Sequence, residues 1–363
     1  MKEDYVYQNF HDKLLDFNWN ISNHICTRDN VGDLKKLIII FVSSEYDVPY
    51  WPLEMGIIDS LKKVVRELHV VSPKQDLLRV SQKVKPDLVL VFSGFKLPCH
   101  QVELLKRSGI KTAVWMTDDP YVIDQSKRIA PYYDFVFTQE INCISFYKSI
   151  GCQNVYHLPL AADPNVFYPR EVDEKYKTDI LFIGVAFSNR VRFFDEITSY
   201  LANKNMLISG IGWKSLKNYH LLQQRINANH WLSPEETANY YNGAKIVLNL
   251  HRSHDDATIN KNSEKIEALS LNPRTFEISA CGAFQLTDIR PDLSGFYKPG
   301  YDIETYRTPQ DLIEKIEYYL NNEEERKTIA SRALNRVQNE HTFLHRIIDL
   351  LGVVFPEKEL NVE

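Results

Sequence analysis

The chain contains 363 residues, of which 44% are hydrophobic and 25% charged, and its formal net charge is −5. This length fits about two domains that each bury a core, and the acidic balance makes nucleic acid an unexpected partner, although a local basic groove is compatible with it. No apolar run approaches the roughly 20 residues that span a bilayer, and the first ten residues lack the apolar centre of a signal peptide. Five cysteines without a Cys-x-x-Cys pair fit a reducing compartment. The composition therefore predicts a cytoplasmic globular protein without a membrane span.

The first part of the chain alternates between strands and helices. Residues 1–33 are polar and aromatic and are predicted to form an N-terminal arm. Residues 34–160 then combine apolar runs of strand length with segments of helical spacing, a pattern typical of βαβ units and a doubly wound parallel sheet. The predicted strands cover residues 37–43, 69–72, 86–92, 110–116, 134–138 and 154–158, and the predicted helices 52–68, 74–84, 101–108, 121–129 and 140–150.

A second α/β pattern follows a break in the first. Residues 159–177 contain three prolines and a charged run, which predicts a linker at 161–177. A second domain is predicted at 178–342, and residues 343–363 are predicted to form a last helix and a tail. In this second part, strands are predicted at 178–184, 206–210, 229–232, 245–251 and 283–287, and helices at 190–202, 234–241, 309–320, 323–340 and 343–351. Two such halves place a crevice between them, and ligands of parallel sheets bind at the carboxyl ends of the strands.

The most informative segment is residues 271–289. Its sequence predicts a polar loop, a helix that begins after Asn272 and ends at Gly282, and then a buried strand. Arg274 and Glu277 are placed in the first helical turn, where free N–H groups and the helix dipole would keep a carboxylate ionised and rigidly aimed. Such a group suits the two adjacent hydroxyls of a ribose. The alternative is an ordinary glutamate with a capping role.

Several residues after the strands of the second half are candidates for binding a nucleotide. Gly184 follows the first strand, and Asn189 and Arg190 open the next helix, where backbone N–H groups and a guanidinium suit a diphosphate. Arg252 and Arg274 are further candidates for a diphosphate or a sugar. Gly212 would let the backbone approach a ligand, Trp213 is expected to pack in the core, and Trp231, next to His230, lies where a nucleobase would bind. The alternative to ligand binding is a plain turn for the glycines after the second strand, and an ordinary helix start for Arg190 and Trp231.

Three residues are candidates for acid–base chemistry. Asp118 and Asp119 follow a central strand of the first half, and one of the pair is expected to cap a helix rather than face ligand. His251 ends a central strand of the second half. Residues 44–46 and 93–95 are candidates for the lining of an acceptor pocket. The sequence has no metal-binding pattern, catalytic-serine elbow or Walker A loop, so neither a metal nor another cofactor is expected.

Five stretches of this sequence match a known family: Trp-Met-Thr-Asp-Asp-Pro (115–120), Asp-Ile-Leu-Phe-Ile-Gly (179–184), Ile-Val-Leu-Asn-Leu-His (246–251), Asn-Pro-Arg-Thr-Phe-Glu (272–277) and the tail 309–346. They resemble the CgeB family of spore-maturation proteins, a branch of the GT-B glycosyltransferase superfamily. The resemblance implies two Rossmann-like domains that face a central cleft, with an acceptor domain at 34–160, a donor domain at 178–342 and a last helix that crosses back to the first domain. It implies that Glu277 holds the donor ribose, that Arg190 contacts phosphate, and that Thr275 lies in the donor-binding motif. Many retaining members carry a second glutamate eight residues before the first, where this chain has Leu269.

The sequence thus predicts a metal-independent glycosyltransferase that uses a nucleotide-sugar, by default a UDP-sugar. Its acceptor would be a glycan, a protein or a small molecule, with a possible association with the forming spore. One alternative is a non-hydrolysing nucleotide-sugar epimerase, and another is a non-catalytic sugar- or nucleotide-binding spore-coat protein. A phage-type transferase acting on DNA is disfavoured by the acidic net charge.

Overall fold

The computed structural model describes residues 31–228 and 231–356. The chain divides into two compact units, and each is built on its own six-stranded sheet. Most of the predicted N-terminal arm lies outside the described residues. Among those described, no helix combines the length and the apolar composition needed to cross a membrane.

The first unit contains a parallel sheet in the order β2-β1-β3-β4-β5-β6. Its central strand β3 is buried at all five positions, as expected for a strand covered on both faces. The strands are β1 (Ile38–Val42), β2 (Glu67–Val71), β3 (Leu88–Phe92), β4 (Lys111–Met116), β5 (Phe135–Thr138) and β6 (Asn154–His157). The helices between them are α1 (Val31–Leu34), α2 (Tyr50–Val64), α3 (Leu77–Val84), α4 (Cys99–Arg107), α5 (Ile123–Ile129) and α6 (Cys143–Ser149).

The second unit contains another parallel sheet, in the order β12-β11-β10-β7-β8-β9. Both sheets are parallel and doubly wound, so the predicted α/β fold class is confirmed. The strands are β7 (Thr178–Ile183), β8 (Met206–Ser209), β9 (Ile226–Asn227), β10 (Ala244–Asn249), β11 (Gln285–Asp288) and β12 (Glu304–Tyr306). The helices are α7 (Ser188–Leu201), α8 (Tyr219–Leu222), α9 (Pro234–Gly243), α10 (Pro273–Ala280), α11 (Pro309–Asn321) and α12 (Glu323–Glu340).

Two strands of the second unit differ from the sequence prediction. The strand predicted at 229–232 is wrong for residues 231 and 232, which are not in a strand, while 229 and 230 lie outside the described residues. The strand that pairs with β8 is the two-residue β9, earlier in the chain. The strand β12 is not predicted by the sequence either, because its three residues, Glu-Thr-Tyr, form no apolar run. Short edge strands carry little of the periodic signal that predicts longer ones.

The first unit also receives two segments from later in the chain. Residues 257–270, which connect β10 with α10, belong to it, and so does the last helix, α13 (Phe343–Val354). Ile266 and Leu269 are buried in the hydrophobic core of the first unit. The Glu140 carboxylate accepts hydrogen bonds from the backbone N–H groups of Leu269, at 3.0 Å, and Ser270, at 3.1 Å. The sequence of this connection predicts a long polar loop and gives no sign of its anchoring.

Candidate functional site

The helix α10 has a tightly built start in the second unit. Asn272 caps the helix, and its Oδ1 accepts a 3.0 Å hydrogen bond from the backbone N–H of Thr275. The side chain of Asn249, at the end of β10, donates to the Thr275 hydroxyl at 3.0 Å and accepts from the Asn272 amide at 2.9 Å. Thr275 is fully buried in this network. It therefore fixes the helix start, and the structure does not place it among groups that face ligand.

His251 contributes to the same helix start. Its Nδ1 lies 2.6 Å from a carboxylate oxygen of Asp288, and its Nε2 accepts a 3.1 Å hydrogen bond from the backbone N–H of Asn272. The ring is buried, and burial lowers its pKa while Asp288 opposes that shift. Both ring nitrogens are engaged and the imidazole is neutral, with its proton on Nδ1. The proposed catalytic role of His251 is therefore corrected to a positioning role.

Glu277 lies one residue beyond the first turn of α10, in which the sequence placed it. Since the helix begins at Pro273, Glu277 is its fifth residue, beyond the free N–H groups of the first turn. Its side chain is half-buried and makes no hydrogen bond or ion pair to any described residue. Burial raises the pKa of this carboxyl to about 7, although the nearby Arg274 guanidinium lowers it. Glu277 therefore lies outside the helix terminus that was expected to keep its carboxylate ionised.

Two arginine side chains converge on Gly184, directly after β7. A Cβ atom at this glycine would lie 2.9 Å from Nη1 of Arg190 and 3.2 Å from Nη2 of Arg274. Only a residue without a side chain leaves both guanidinium groups in place. The buried Tyr241 phenol lies close enough to Arg274 and Glu277 for both charges to affect its pKa. Gly184, Arg274, Tyr241 and Glu277 therefore form one cluster, which we call the α10 cluster.

The Arg190 side chain is buried and is held by backbone carbonyls of the second unit. Its Nε donates to the Leu250 carbonyl at 2.8 Å and its Nη1 to the Val185 carbonyl at 3.0 Å. The guanidinium also lies 5.0 Å from the centre of the Phe187 ring. These contacts join the turn after β7 to the end of β10. Arg190 is therefore engaged by the protein's own backbone rather than directed at a ligand.

Asn189 and Arg252 lie at the same edge of the sheet. The Asn189 amide donates to the His251 carbonyl at 2.9 Å, and its oxygen accepts from the backbone N–H of Ser253 at 3.3 Å. The Arg252 guanidinium lies 4.4 Å from the centre of the Phe187 ring, on which Arg190 also packs. Asn189 thus shapes the loop after β10, and Arg252 is held beside the first turn of α7.

The glycines after β8 allow a close approach of two backbone segments. A Cβ at Gly210 would lie 2.1 Å from the Gly184 carbonyl oxygen, so no larger residue fits there. Gly212 has a φ of +93°, in the left-handed region that favours glycine. Trp213 is fully buried and donates from Nε1 to the Gly184 carbonyl at 2.8 Å, as its predicted packing role requires. Trp231 is 51% exposed, and its indole remains open to a ligand.

Asp118 and Asp119 have different environments in the first unit. Asp119 is buried, and its carboxylate accepts from Tyr147 at 2.7 Å and Thr138 at 2.8 Å, while burial raises its pKa. Asp118 is half-buried, and its Oδ2 accepts from the Tyr50 hydroxyl at 2.8 Å. Asp119 is therefore corrected from a catalytic candidate to a core residue, whereas Asp118 remains accessible.

Three polar residues of the site were not among the candidates predicted from the sequence. Asn249 is a polar residue directly after the apolar run Ile246–Leu248 of β10, and Asp288 is a carboxylate at the carboxyl end of β11, so both carried a signal that was overlooked. Tyr241 carried none, because an aromatic residue near the end of a helix is usually part of the core. The position of Leu269 also has a physical explanation. In this chain it fills the core of the first unit, where an ionised glutamate would lose its hydration.

Comparisons with known proteins agree with this architecture. Residues 190–352 match the family model described as glycosyl transferase-like. A glycosyltransferase from Rickettsia africae superposes with a TM-score of 0.60 at 12% identity, over 90% of this chain and 100% of its own. HepE from Anabaena, solved in complex with UDP-glucose, superposes with a TM-score of 0.59 at 8% identity, over 87% and 99% of the two chains. The fold and the family model together define a glycosyltransferase of the GT-B type.

A curated relative gives the family. Spore protein CgeB from Bacillus subtilis (strain 168) is 33% identical over 273 residues, which are 75% of this chain and 84% of the relative. The chain belongs to the CgeB family, and the resemblance seen in its motifs is confirmed.

Proposed function

We propose that this protein transfers a sugar from a nucleotide-sugar to an acceptor hydroxyl without a metal ion, and that the α10 cluster binds the donor nucleotide. The Glu277 carboxyl carries this proposal. It is held on a rigid helix, is partly withdrawn from water and has no hydrogen-bond partner among the described residues. Burying an ionisable group without a partner costs stability, so such a group is commonly kept for a ligand.

The chemistry of the cluster fits a nucleoside diphosphate. A carboxylate accepts hydrogen bonds from the two hydroxyls of a ribose, and a guanidinium donates to phosphate oxygens in a planar fork. Arg274 lies three positions before Glu277 on α10, and its Nη2 lies 3.2 Å from the position that a Cβ atom of Gly184 would take, at the turn after β7. Trp231 supplies an exposed indole on which a base can stack. UDP is the first nucleotide to test, because the Anabaena structure with the same fold was solved with UDP-glucose.

The reaction requires two changes of charge. The diphosphate leaving group gains negative charge as the glycosidic bond breaks, and Arg274 stabilises that charge in the transition state. The acceptor hydroxyl loses a proton, for which Asp118 is the proposed base. The B. subtilis relative is a spore protein, and we therefore propose a spore-surface acceptor.

The ribose contact is tested by calorimetry with UDP and with 2′,3′-dideoxy-UDP. We expect Glu277→Ala to weaken UDP binding about 10- to 100-fold, the effect of losing two hydrogen bonds to a charged group, and to change dideoxy-UDP binding little. Glu324→Ala is the matched control, since that carboxylate is 94% exposed on α12. Equal losses for both nucleotides would show that Glu277 does not contact the ribose.

Catalysis is tested by product analysis. A transferase releases UDP and forms a glycoside only when an acceptor is present, and it remains active in EDTA. Conversion of the donor sugar in the absence of an acceptor would instead identify an epimerase. Nucleotide binding without turnover across the donor and acceptor panels would identify a non-catalytic binding protein.

A further inference from the structure

Two opposite charges of the α10 cluster are near neighbours that do not form an ion pair. Arg274 and Glu277 are three positions apart on α10, a spacing at which side chains of one helix reach each other. Both side chains are half-buried, and the partial exclusion of water strengthens the attraction between charges. Neither residue nevertheless forms an ion pair with any residue that the structure describes. The guanidinium of Arg274 is therefore directed elsewhere.

Arg274 is directed towards the turn after β7 and towards α9. Its Nη2 lies 3.2 Å from the position that a Cβ atom of Gly184 would take. On α9, burial raises the pKa of the Tyr241 phenol, and the Arg274 side chain opposes this shift through its charge and through a hydrogen bond to the phenol. A guanidinium has only donors, so the Tyr241 oxygen is the acceptor. The phenol thus engages the guanidinium where a carboxylate of the same helix does not.

The core of the second unit holds Tyr241 in place. Its side chain is buried, and its ring lies 6.3 Å from the ring of Phe167. Leu181, Phe276 and Cys281 belong to the same hydrophobic cluster. Side chains in a close-packed interior keep one arrangement, so the hydroxyl of Tyr241 has a defined position. It is therefore a fixed acceptor for a flexible arginine.

Separated charges cost stability in the free protein but favour the binding of a ligand. An ion pair between Arg274 and Glu277 would have to break before either group could contact a nucleotide, and the cost of breaking it would be subtracted from the affinity. In the unpaired arrangement that cost is already present before binding. The pKa of about 7 that burial gives to the Glu277 carboxyl, despite the opposing charge of Arg274, is its measurable sign.

We propose that Tyr241 is a positioning residue that keeps the guanidinium of Arg274 apart from the carboxyl of Glu277, so that both groups remain available to a nucleotide. Without the phenol oxygen, the guanidinium turns to the carboxylate, and the ion pair competes with the phosphate and ribose contacts. The role in nucleotide binding rests on the proposed function, whereas the separation of the two charges does not. Tyr241 itself needs no contact with the nucleotide.

The test is Tyr241→Phe, which removes the hydroxyl and keeps the ring in the core. NMR of the isotope-labelled Glu277 carboxyl, without nucleotide, measures its pKa. We expect this pKa to fall from about 7 toward 4.5, because the carboxylate gains a paired guanidinium. We expect UDP binding, measured by calorimetry, to weaken about three- to tenfold, because the new ion pair must break first.

The matched control is Tyr240→Phe, at the preceding position of α9. Tyr240 is half-buried, and its ring lies 4.9 Å from the ring of Tyr176. Burial raises the pKa of its phenol, and the charges that also affect it come from Tyr176, Glu236 and Lys175 rather than from the α10 cluster. We expect this variant to change neither the pKa of Glu277 nor the affinity for UDP.

A second background shows whether the effect passes through Glu277. Tyr241→Phe added to Glu277→Gln is expected to cause no further loss of UDP affinity, since the amide carries no charge with which the guanidinium could pair. The same loss in both backgrounds would mean that Tyr241 acts on Arg274 alone, and it would overturn the proposal.

Two further outcomes contradict the proposal. One is an unchanged pKa of Glu277 in Tyr241→Phe, and the other is unaltered UDP affinity of this variant when the original protein binds UDP. If the pKa falls but the original protein binds no UDP, the separation of the charges stands and the donor proposal fails.

Discussion

The carboxylate of Asp288 lies 2.6 Å from Nδ1 of His251 and also accepts the backbone N–H of His251 at 3.0 Å. This contact fixes the imidazole proton on Nδ1 and leaves Nε2 as the acceptor for the start of α10. Burial alone would raise the pKa of Asp288, but the charge of Arg290 and the hydrogen bonds from the His251 side chain and backbone hold it at about 2. The orientation of the helix that bears Arg274 and Glu277 therefore depends on a residue from another strand.

Replacing Asp288 tests this dependence. We expect Asp288→Ala to lower the free energy of unfolding by about 2 to 4 kcal/mol, because it leaves the buried His251 without its partner. Asp288→Asn keeps an acceptor for the Nδ1 proton and is expected to lose less. Urea unfolding and UDP calorimetry measure both effects. If both variants keep the stability and the UDP affinity of the unaltered protein, the contact between Asp288 and His251 does not support the helix.

Glu277 predicts a pH dependence of stability. Its pKa of about 7 in the fold lies above its ordinary value of 4.5, so the folded chain holds this proton more tightly than the unfolded chain. The contribution of this proton to the free energy of unfolding is complete below pH 4.5 and is lost as the pH rises through about 7. We expect Glu277→Gln to be more stable than the unaltered protein by roughly 1 to 3 kcal/mol at pH 8, and to be similar at pH 5. Urea midpoints at the two pH values check this, and a difference that does not change with pH contradicts it.

Arg190 and Arg274 should respond differently to truncation. Arg190→Ala leaves the carbonyls of Val185 and Leu250 without their donors and is expected to cost about 2 to 4 kcal/mol of stability. Arg274→Ala is expected to keep the stability and to weaken UDP binding about tenfold, with uridine affected less. Thermal unfolding and calorimetry separate the two effects. Equal losses of UDP and uridine binding in Arg274→Ala would reject its phosphate role.

Asp118 and Asp119 of the first unit should also respond differently to replacement. Asp118→Asn is expected to lower turnover about 10²- to 10⁴-fold, the range of general base catalysis, without a change in UDP affinity. Asp119→Asn is expected to lower the thermal midpoint, because an amide cannot accept equally from Tyr147 and Thr138. Full activity of Asp118→Asn, measured with an accepted sugar, would remove its proposed role as the base.

Much of the fold follows from local pattern, whereas the site depends on contacts between distant residues. Runs such as Leu88–Phe92 are apolar throughout and predict buried strands, and Asn272-Pro273 predicts the start of α10. The roles of His251 and Arg190 could not be predicted in this way, because they are decided by partners 37 and 60 residues away in sequence. For Glu277 the helix was predicted correctly, but a shift of one position relative to the first turn changes the surroundings of its carboxyl. Burial and pairing, unlike periodicity, are not encoded in a short window of sequence.

The placement of α13 has a consequence for the order in which the protein matures. Phe343 packs edge-on against Trp115 at 6.4 Å, and Arg346 donates to the Pro159 carbonyl at 3.0 Å, so this last helix completes the core of the unit that is synthesised first. At typical translation rates, the ribosome needs roughly 10 to 40 s to travel from residue 160 to residue 343. During that interval the nascent first unit lacks a wall of its core, and the apolar residues that α13 later covers are open to chaperones.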